Sequence, residues 1–122
     1  MASKRILIVD DDTNFLELTQ DYFKSMGYDV KTAENAESGM EMFRRHKPRV
    51  VLLDFNMPLI TGEKFLPVLQ GIDPTVKTIV VSGCIEEEVE EKFRGLGYFA
   101  FFEKGTLSLE KLKQKVDEAL NY

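Results

Sequence analysis

Val50-Val51-Leu52-Leu53-Asp54-Phe55-Asn56-Met57-Pro58 decides how the chain folds. Four apolar residues in a row run straight into one acid. A run with no polar face reads as a strand covered on both sides, the place of a central strand in a parallel sheet. Pro58 cannot donate to a ladder, so the strand is over before it. Asp54 then stands at the carboxyl end of that strand, where open α/β sheets place their ligands.

The pattern recurs on either side. Ile6-Leu7-Ile8-Val9 runs into Asp10-Asp11-Asp12, and Val76 to Val81 runs into Ser82-Gly83. Spacing and punctuation predict strands over about 5–10, 28–32, 50–54, 76–81 and 98–102. Helices are predicted over about 13–27, 36–46, 63–71, 85–95 and 106–120. Asp12 or Thr13 caps the first helix and Gly27 ends it. Phe15, Leu18, Tyr22, Phe23 and Met26 form its expected inner face. Asn35 caps the second, with Ala36, Met40 and Phe43 inward, and Lys47-Pro48 stops it. The third carries Phe65, Leu66 and Leu69. The fourth has only Ile85, Val89 and Phe93 inward, a glutamate-rich outer side, and Gly95 and Gly97 at its end. The fifth buries Leu109, Leu112, Val116 and Leu120. Five strands alternating with five helices imply an α/β fold, a parallel sheet with helices on both faces.

The 122 residues make one domain, 1–122, with no repeat or linker. A net charge of −5 disfavours direct nucleic-acid binding. Cys84 is the single cysteine, which leaves no disulfide framework and no cysteine cluster for zinc. The apolar run after the basic start is too short for a signal peptide or a membrane span, so a cytoplasmic protein is expected. His46 sits among basic residues at a helix end and reads as a surface histidine.

In a parallel sheet all the carboxyl ends lie on one edge. The first strand brings Asp10 and Asp11 there, the third Asp54, the fourth Ser82 and the fifth Lys104. Three carboxylates at one mouth repel one another unless a cation intervenes. Lys104 offsets part of that charge. A hard divalent ion with oxygen ligands, magnesium or manganese, offsets more. A hydroxyl and an ammonium beside it are the donors that stabilise a transferring phosphoryl group. Asp54, on the most central strand, can serve as the nucleophile.

These pieces, in order and properly spaced, resemble the response-regulator receiver domains of two-component signalling. The matching residues are Ile6 to Asp12, Thr32-Ala33-Glu34-Asn35, Lys47-Pro48, Val51 to Asp54, Met57-Pro58, Gly62, Ser82-Gly83, and Phe101 three residues before Lys104. The resemblance implies a flavodoxin-like (βα)5 three-layer sandwich with strand order 2-1-3-4-5. It implies Asp54 as phosphoacceptor and Asp10, Asp11, Asp54 and the Asn56 carbonyl around the metal. Ser82, Gly83 and Lys104 would meet the phosphoryl group, and Phe101 would be the switch aromatic. A sensor histidine kinase or phosphotransfer protein would supply the phosphoryl group. The fourth helix, fifth strand and fifth helix would face an unknown downstream protein, or a second copy after phosphorylation. The domain would catalyse only its own phosphorylation and dephosphorylation.

The chain departs from that pattern at Gly105, where the family usually has proline, and at Tyr98-Phe99-Ala100. An exposed Phe99 would point to a partner surface. Gly83 stands where alanine is common, leaving phosphate access open. Met1 at the start and no linker at the end favour a stand-alone receiver over one cut from a longer regulator or hybrid kinase. A haloacid-dehalogenase-like phosphatase is the remote alternative, from the Asp10/Asp12 spacing, but Asn14 stands where that motif has Thr or Val. A receiver that no longer switches and serves as a binding module is the third.

Overall fold

A computed structural model describes residues 4–56, 62–91 and 97–122. Its elements are β1 (Arg5–Val9), α1 (Thr13–Ser25), β2 (Asp29–Ala33), α2 (Ala36–His46), β3 (Val50–Asp54), α3 (Gly62–Ile72), β4 (Lys77–Ser82), α4 (Glu86–Glu90), β5 (Ala100–Glu103) and α5 (Leu109–Leu120). The five strands form one sheet of order β2-β1-β3-β4-β5, with every pairing parallel. β3 is central, with Leu52 opposite Ile8 on one side and Ile79 on the other.

Alternation along the strands explains the two-sided core. Leu7, Val9, Val51, Leu53 and Val80 face a cluster completed by Phe43, Phe65, Leu66, Leu69 and Val89 from α2, α3 and α4. Ile6, Ile8, Val50, Leu52, Ile79 and Val81 face the other, completed by Leu16, Phe23, Leu112, Val116 and Leu120 from α1 and α5. Every residue of β3 is buried, as its unbroken apolar run requires.

The helix ends follow the expected chemistry. The Asp12 carboxylate accepts from the Phe15 N–H at 3.1 Å, and the Asn35 side-chain oxygen from the Ser38 N–H at 2.8 Å. Gly27 ends α1 with φ +89°. Lys47 takes the left-handed conformation after α2, with φ 51°, ahead of Pro48.

Three expectations are corrected. The inner face of α1 is Leu16, Thr19 and Phe23; Phe15 and Tyr22 flank it, while Leu18 and Met26 are exposed. Thr19 can be fully buried because its hydroxyl donates to the Phe15 carbonyl at 2.7 Å. The last helix starts at Leu109, not 106. Residues Lys104–Thr106 instead form a 3-10 turn, and the Ser108 hydroxyl accepts from the Lys111 N–H to begin α5. Ile85, expected on the inner side of α4, is instead exposed. Phe99 is half-buried and packs edge-on against Tyr122 at 5.5 Å, so the condition for a partner surface, an exposed Phe99, is not met. The expected positions of Met57, Pro58, Phe93 and Gly95 lie outside the described residues. His46 lies at the surface end of α2, its Nε2 3.0 Å from the Asp29 carbonyl oxygen.

One glycine marks how closely α2 packs. A Cβ on Gly39 would stand 3.3 Å from Phe65 Cζ and from both Val9 methyls. Gly39→Leu is therefore expected to lower the unfolding free energy by ~1–3 kcal/mol in urea titrations, the range for overpacking a fitted core.

Candidate functional site

The parallel sheet brings the predicted residues to one edge. Asp10 is the first residue past β1, and its N–H still donates to the Ala33 carbonyl of the β2 side at 3.0 Å. Asp54 ends β3, Ser82 ends β4, and Lys104 directly follows β5. Asp10, Asp54 and Ser82 are buried, 1%, 4% and 0% exposed. Asp11 is exposed. One carboxylate oxygen from each of Asp10, Asp11 and Asp54 lies within 4.8 Å of the others.

Lys104 is the counter-charge. Its Nζ lies 2.7 Å and 3.0 Å from the two Asp10 oxygens and 3.8 Å from Asp54 Oδ2. Asp10 Oδ1 also accepts the Asp12 N–H at 2.9 Å. One lysine does not neutralise three acids. Burial and then the Asp10 charge drive the Asp54 carboxyl upward, Lys104 opposes them, and a hydrogen bond with the Asp11 side chain adds to the rise. The Asn56 N–H pulls downward, and the net is a carboxyl pushed up to about 8. Burial disfavours the Lys104 ammonium, but the hydrogen bond and charge of Asp10, then Asp54 and Asp12, outweigh it and hold its pKa above the ordinary lysine value.

Asn56 is exposed; its N–H reaches Asp54 Oδ1 at 3.3 Å and its side-chain amide reaches Cys84 Sγ at 3.5 Å. The Ser82 hydroxyl accepts the Cys84 N–H at 3.0 Å. Gly83 is exposed, and a Cβ there would meet nothing within 4 Å. The space beside Gly83 is thus open, but it would be open to alanine too. A Cβ on Gly105 would likewise meet nothing within 4 Å. Phe101 pairs with Val80 as Glu103 pairs with Ser82. Strand alternation therefore puts Phe101 on the same sheet face as Ser82, one step further from the edge. It is half-buried against the α2–α3–α4 cluster, its ring centroid 6.4 Å from that of Tyr98.

Asp12 is the helix cap expected from the sequence, and one further residue at this edge was not expected there. The Asp12 carboxylate is taken up as the α1 cap, so Asp12 is not a spare acid for chemistry. Phe15 reaches the mouth from the first turn of α1, and the Lys104 Nζ stands 4.9 Å over its ring centroid. The available signal was its place three residues after the cap, on the turn that abuts the carboxyl edge; its apolar character alone suggested only core.

The model of the response regulator receiver domain family matches residues 6–117. The chain is a response regulator receiver domain. It is 26% identical over 120 residues to sporulation initiation phosphotransferase F of Bacillus subtilis, which covers 98% of this receiver and 96% of that protein. It is 31% identical over 117 residues to transcriptional regulatory protein GlrR of Escherichia coli, covering 94% of this receiver but only 26% of that protein. Among solved structures, the CheY-like response regulator receiver domain protein from Methanospirillum hungatei superposes with a TM-score of 0.90 at 30% identity, over 98% of this chain and 94% of that one. The receiver thus spans nearly all of one relative and about a quarter of another. Its sheet order and five helices are those expected of the flavodoxin-like receiver fold. Among the described residues no helix is long and apolar enough to cross a membrane.

Proposed function

We propose that residues 1–122 act as a phosphoacceptor receiver in two-component signalling, with Asp54 as the residue phosphorylated. The observation that carries this is the buried Asp54 at the centre of the sheet edge, facing Asp10 and Asp11 with Lys104 3.8 Å away. A carboxylate oxygen of Asp54 attacks phosphorus. The P–N bond of a phosphohistidine breaks, the imidazole keeps the bonding pair and takes up a proton, and an aspartyl phosphate forms. A small acyl phosphate can donate in the same way, with its P–O bond breaking. Water later cleaves the aspartyl phosphate to inorganic phosphate and the free carboxylate. The protein is in this sense its own substrate rather than a turnover enzyme.

The donor set fits a hard divalent cation. Among the described residues, three carboxylates with oxygens within 4.8 Å make an all-oxygen donor set, and Lys104 offsets only part of their charge. Asp10, Asp11, Asp54 and the backbone carbonyl of Asn56 would hold Mg2+, or Mn2+ in its place. When bound, such an ion neutralises charge building on the phosphoryl oxygens. Ser82 offers its hydroxyl and Lys104 its ammonium to the transferred group, with Gly83 leaving the approach open. Phe101, on the Ser82 face of β5, is the candidate to repack when that hydroxyl moves. The output surface would then be α4, β5 and α5, offered to a downstream protein or a second copy. A cytoplasmic histidine kinase or phosphotransfer protein is the proposed donor.

Acetyl phosphate with Mg2+ tests this directly. The intact mass should gain one phosphoryl group per chain, and chelation of the cation should prevent the gain. Sustained turnover of a phosphomonoester without such labelling would instead favour a phosphatase. The use of Asp12 as a helix cap speaks against that alternative.

A further inference from the structure

We infer that Phe15 is a positioning residue for the phosphoryl-transfer site: its ring forms the back wall against which the Lys104 ammonium is held toward Asp10 and Asp54. The inference rests on the proposed phosphoacceptor role and adds a residue to it.

The geometry is a closed circuit. Lys104 Nζ lies 2.7 Å from Asp10 Oδ2. Asp10 Oδ1 accepts the Asp12 N–H at 2.9 Å, and Asp12 Oδ1 accepts the Phe15 N–H at 3.1 Å. The Phe15 ring then returns to Lys104, with the ammonium 4.9 Å from its centroid. Phe15 is pinned at its other end as well, because the Thr19 hydroxyl donates to its carbonyl at 2.7 Å. The ring is therefore fixed on a helix start that is itself fastened to Asp10.

Sheet geometry explains why α1 supplies this wall. The alternation that turns Ile6, Ile8, Leu52 and Phe102 toward α1 and α5 continues to Asp10, Asp54 and Lys104. Ser82 belongs to the opposite face, with Val80. Lys104 begins a 3-10 turn, followed by exposed Gly105 with open space around it. A cation over an aromatic face is held there electrostatically. The Lys104 side chain is only 21% exposed despite its charge.

The test separates an aromatic wall from mere bulk. Phe15→Leu keeps an apolar side chain of similar size, Phe15→Tyr keeps the aromatic face, and incorporation of fluorinated phenylalanines at 15 weakens that face with little change of shape. Two readouts apply to each. In the NMR spectrum, the ε-methylene protons of Lys104 should be shifted upfield by the ring current in the wild type and in Phe15→Tyr, and not in Phe15→Leu. The rate of labelling by acetyl phosphate should fall about 3–10-fold in Phe15→Leu, recover in Phe15→Tyr, and decline stepwise with fluorination. Absence of the upfield shift in the wild type would overturn the wall whatever the labelling does. Equal labelling rates for wild type, Leu and the fluorinated series would overturn its role in transfer. Failure of the wild type itself to label, with the Lys104 shift present, would strike the phosphoacceptor role and leave the wall standing.

Discussion

Lys104→Met is expected to destabilise the domain by ~3 kcal/mol in cation-free buffer near pH 8, because it leaves a buried carboxylate without its partner. Asp10 is 1% exposed, and both of its oxygens lie within 3.0 Å of the Lys104 ammonium. Met replaces the stem but not the charge. The Asp12 N–H still reaches Asp10 Oδ1, but the ammonium that pairs with Asp10 and Asp54 is gone. The deficit should shrink as pH falls, since protonation relieves repulsion among the acids, and should shrink again when Mg2+ is added. Urea unfolding with and without Mg2+ at several pH values measures all three effects. A deficit that is unchanged by pH and by Mg2+ would mean that Lys104 stabilises through packing rather than charge.

Asp54→Asn is expected to do the opposite and raise stability. The folded protein holds the Asp54 proton up to about 8, against 3.8 for the ordinary side chain. A raised carboxyl favours the protonated fold. Its contribution is complete below the unfolded value of 3.8 and is lost as pH rises toward about 8, where the carboxylate ionises inside the folded site. Asparagine is neutral at every pH and can still accept the Asn56 N–H that now reaches Asp54 Oδ1. The stability gap between variant and wild type should therefore be small near pH 4 and widen toward pH 8, reaching on the order of 2–4 kcal/mol without Mg2+. Added Mg2+ should narrow it, because a cation favours the carboxylate that only the wild type has. Thermal or urea unfolding across this pH range measures the gap. A gap that stays constant with pH would show that Asp54 is not held at a raised pKa.

Much of the architecture was legible because it is written in contiguous residues. The runs Ile6–Val9 and Val50–Leu53 have no polar face, and both lie wholly buried in the centre of the sheet. The acids that end those runs come together for the same reason, since parallel strands align their carboxyl ends. The inner face of α1 departs from the apolar spacing because Thr19 reads as polar, although its hydroxyl is satisfied within its own helix and the residue is fully buried. The start of α5 is set by the Ser108 cap, which follows a 3-10 turn over Lys104–Thr106, and apolar spacing encodes neither. Contacts between residues far apart in sequence carried no local signal. Tyr122 covering Phe99 is one, and the Tyr28 hydroxyl donating to the Asp117 carboxylate is another. Phe15 over Lys104 belongs with them: each half was visible as a side chain, but only the fold sets an ammonium over the ring.

The account stands on Asp54 as the phosphorylated residue, and site-resolved labelling tests that claim most directly. Wild type and Asp54→Asn are incubated with acetyl phosphate and Mg2+, and peptides are mapped by tandem mass spectrometry. The account predicts one phosphoryl group on the wild-type peptide containing Asp54, lost on chelating the cation and absent from the variant. Equal labelling of Asp54→Asn, or a wild-type phosphoryl group mapped to another residue, would contradict it.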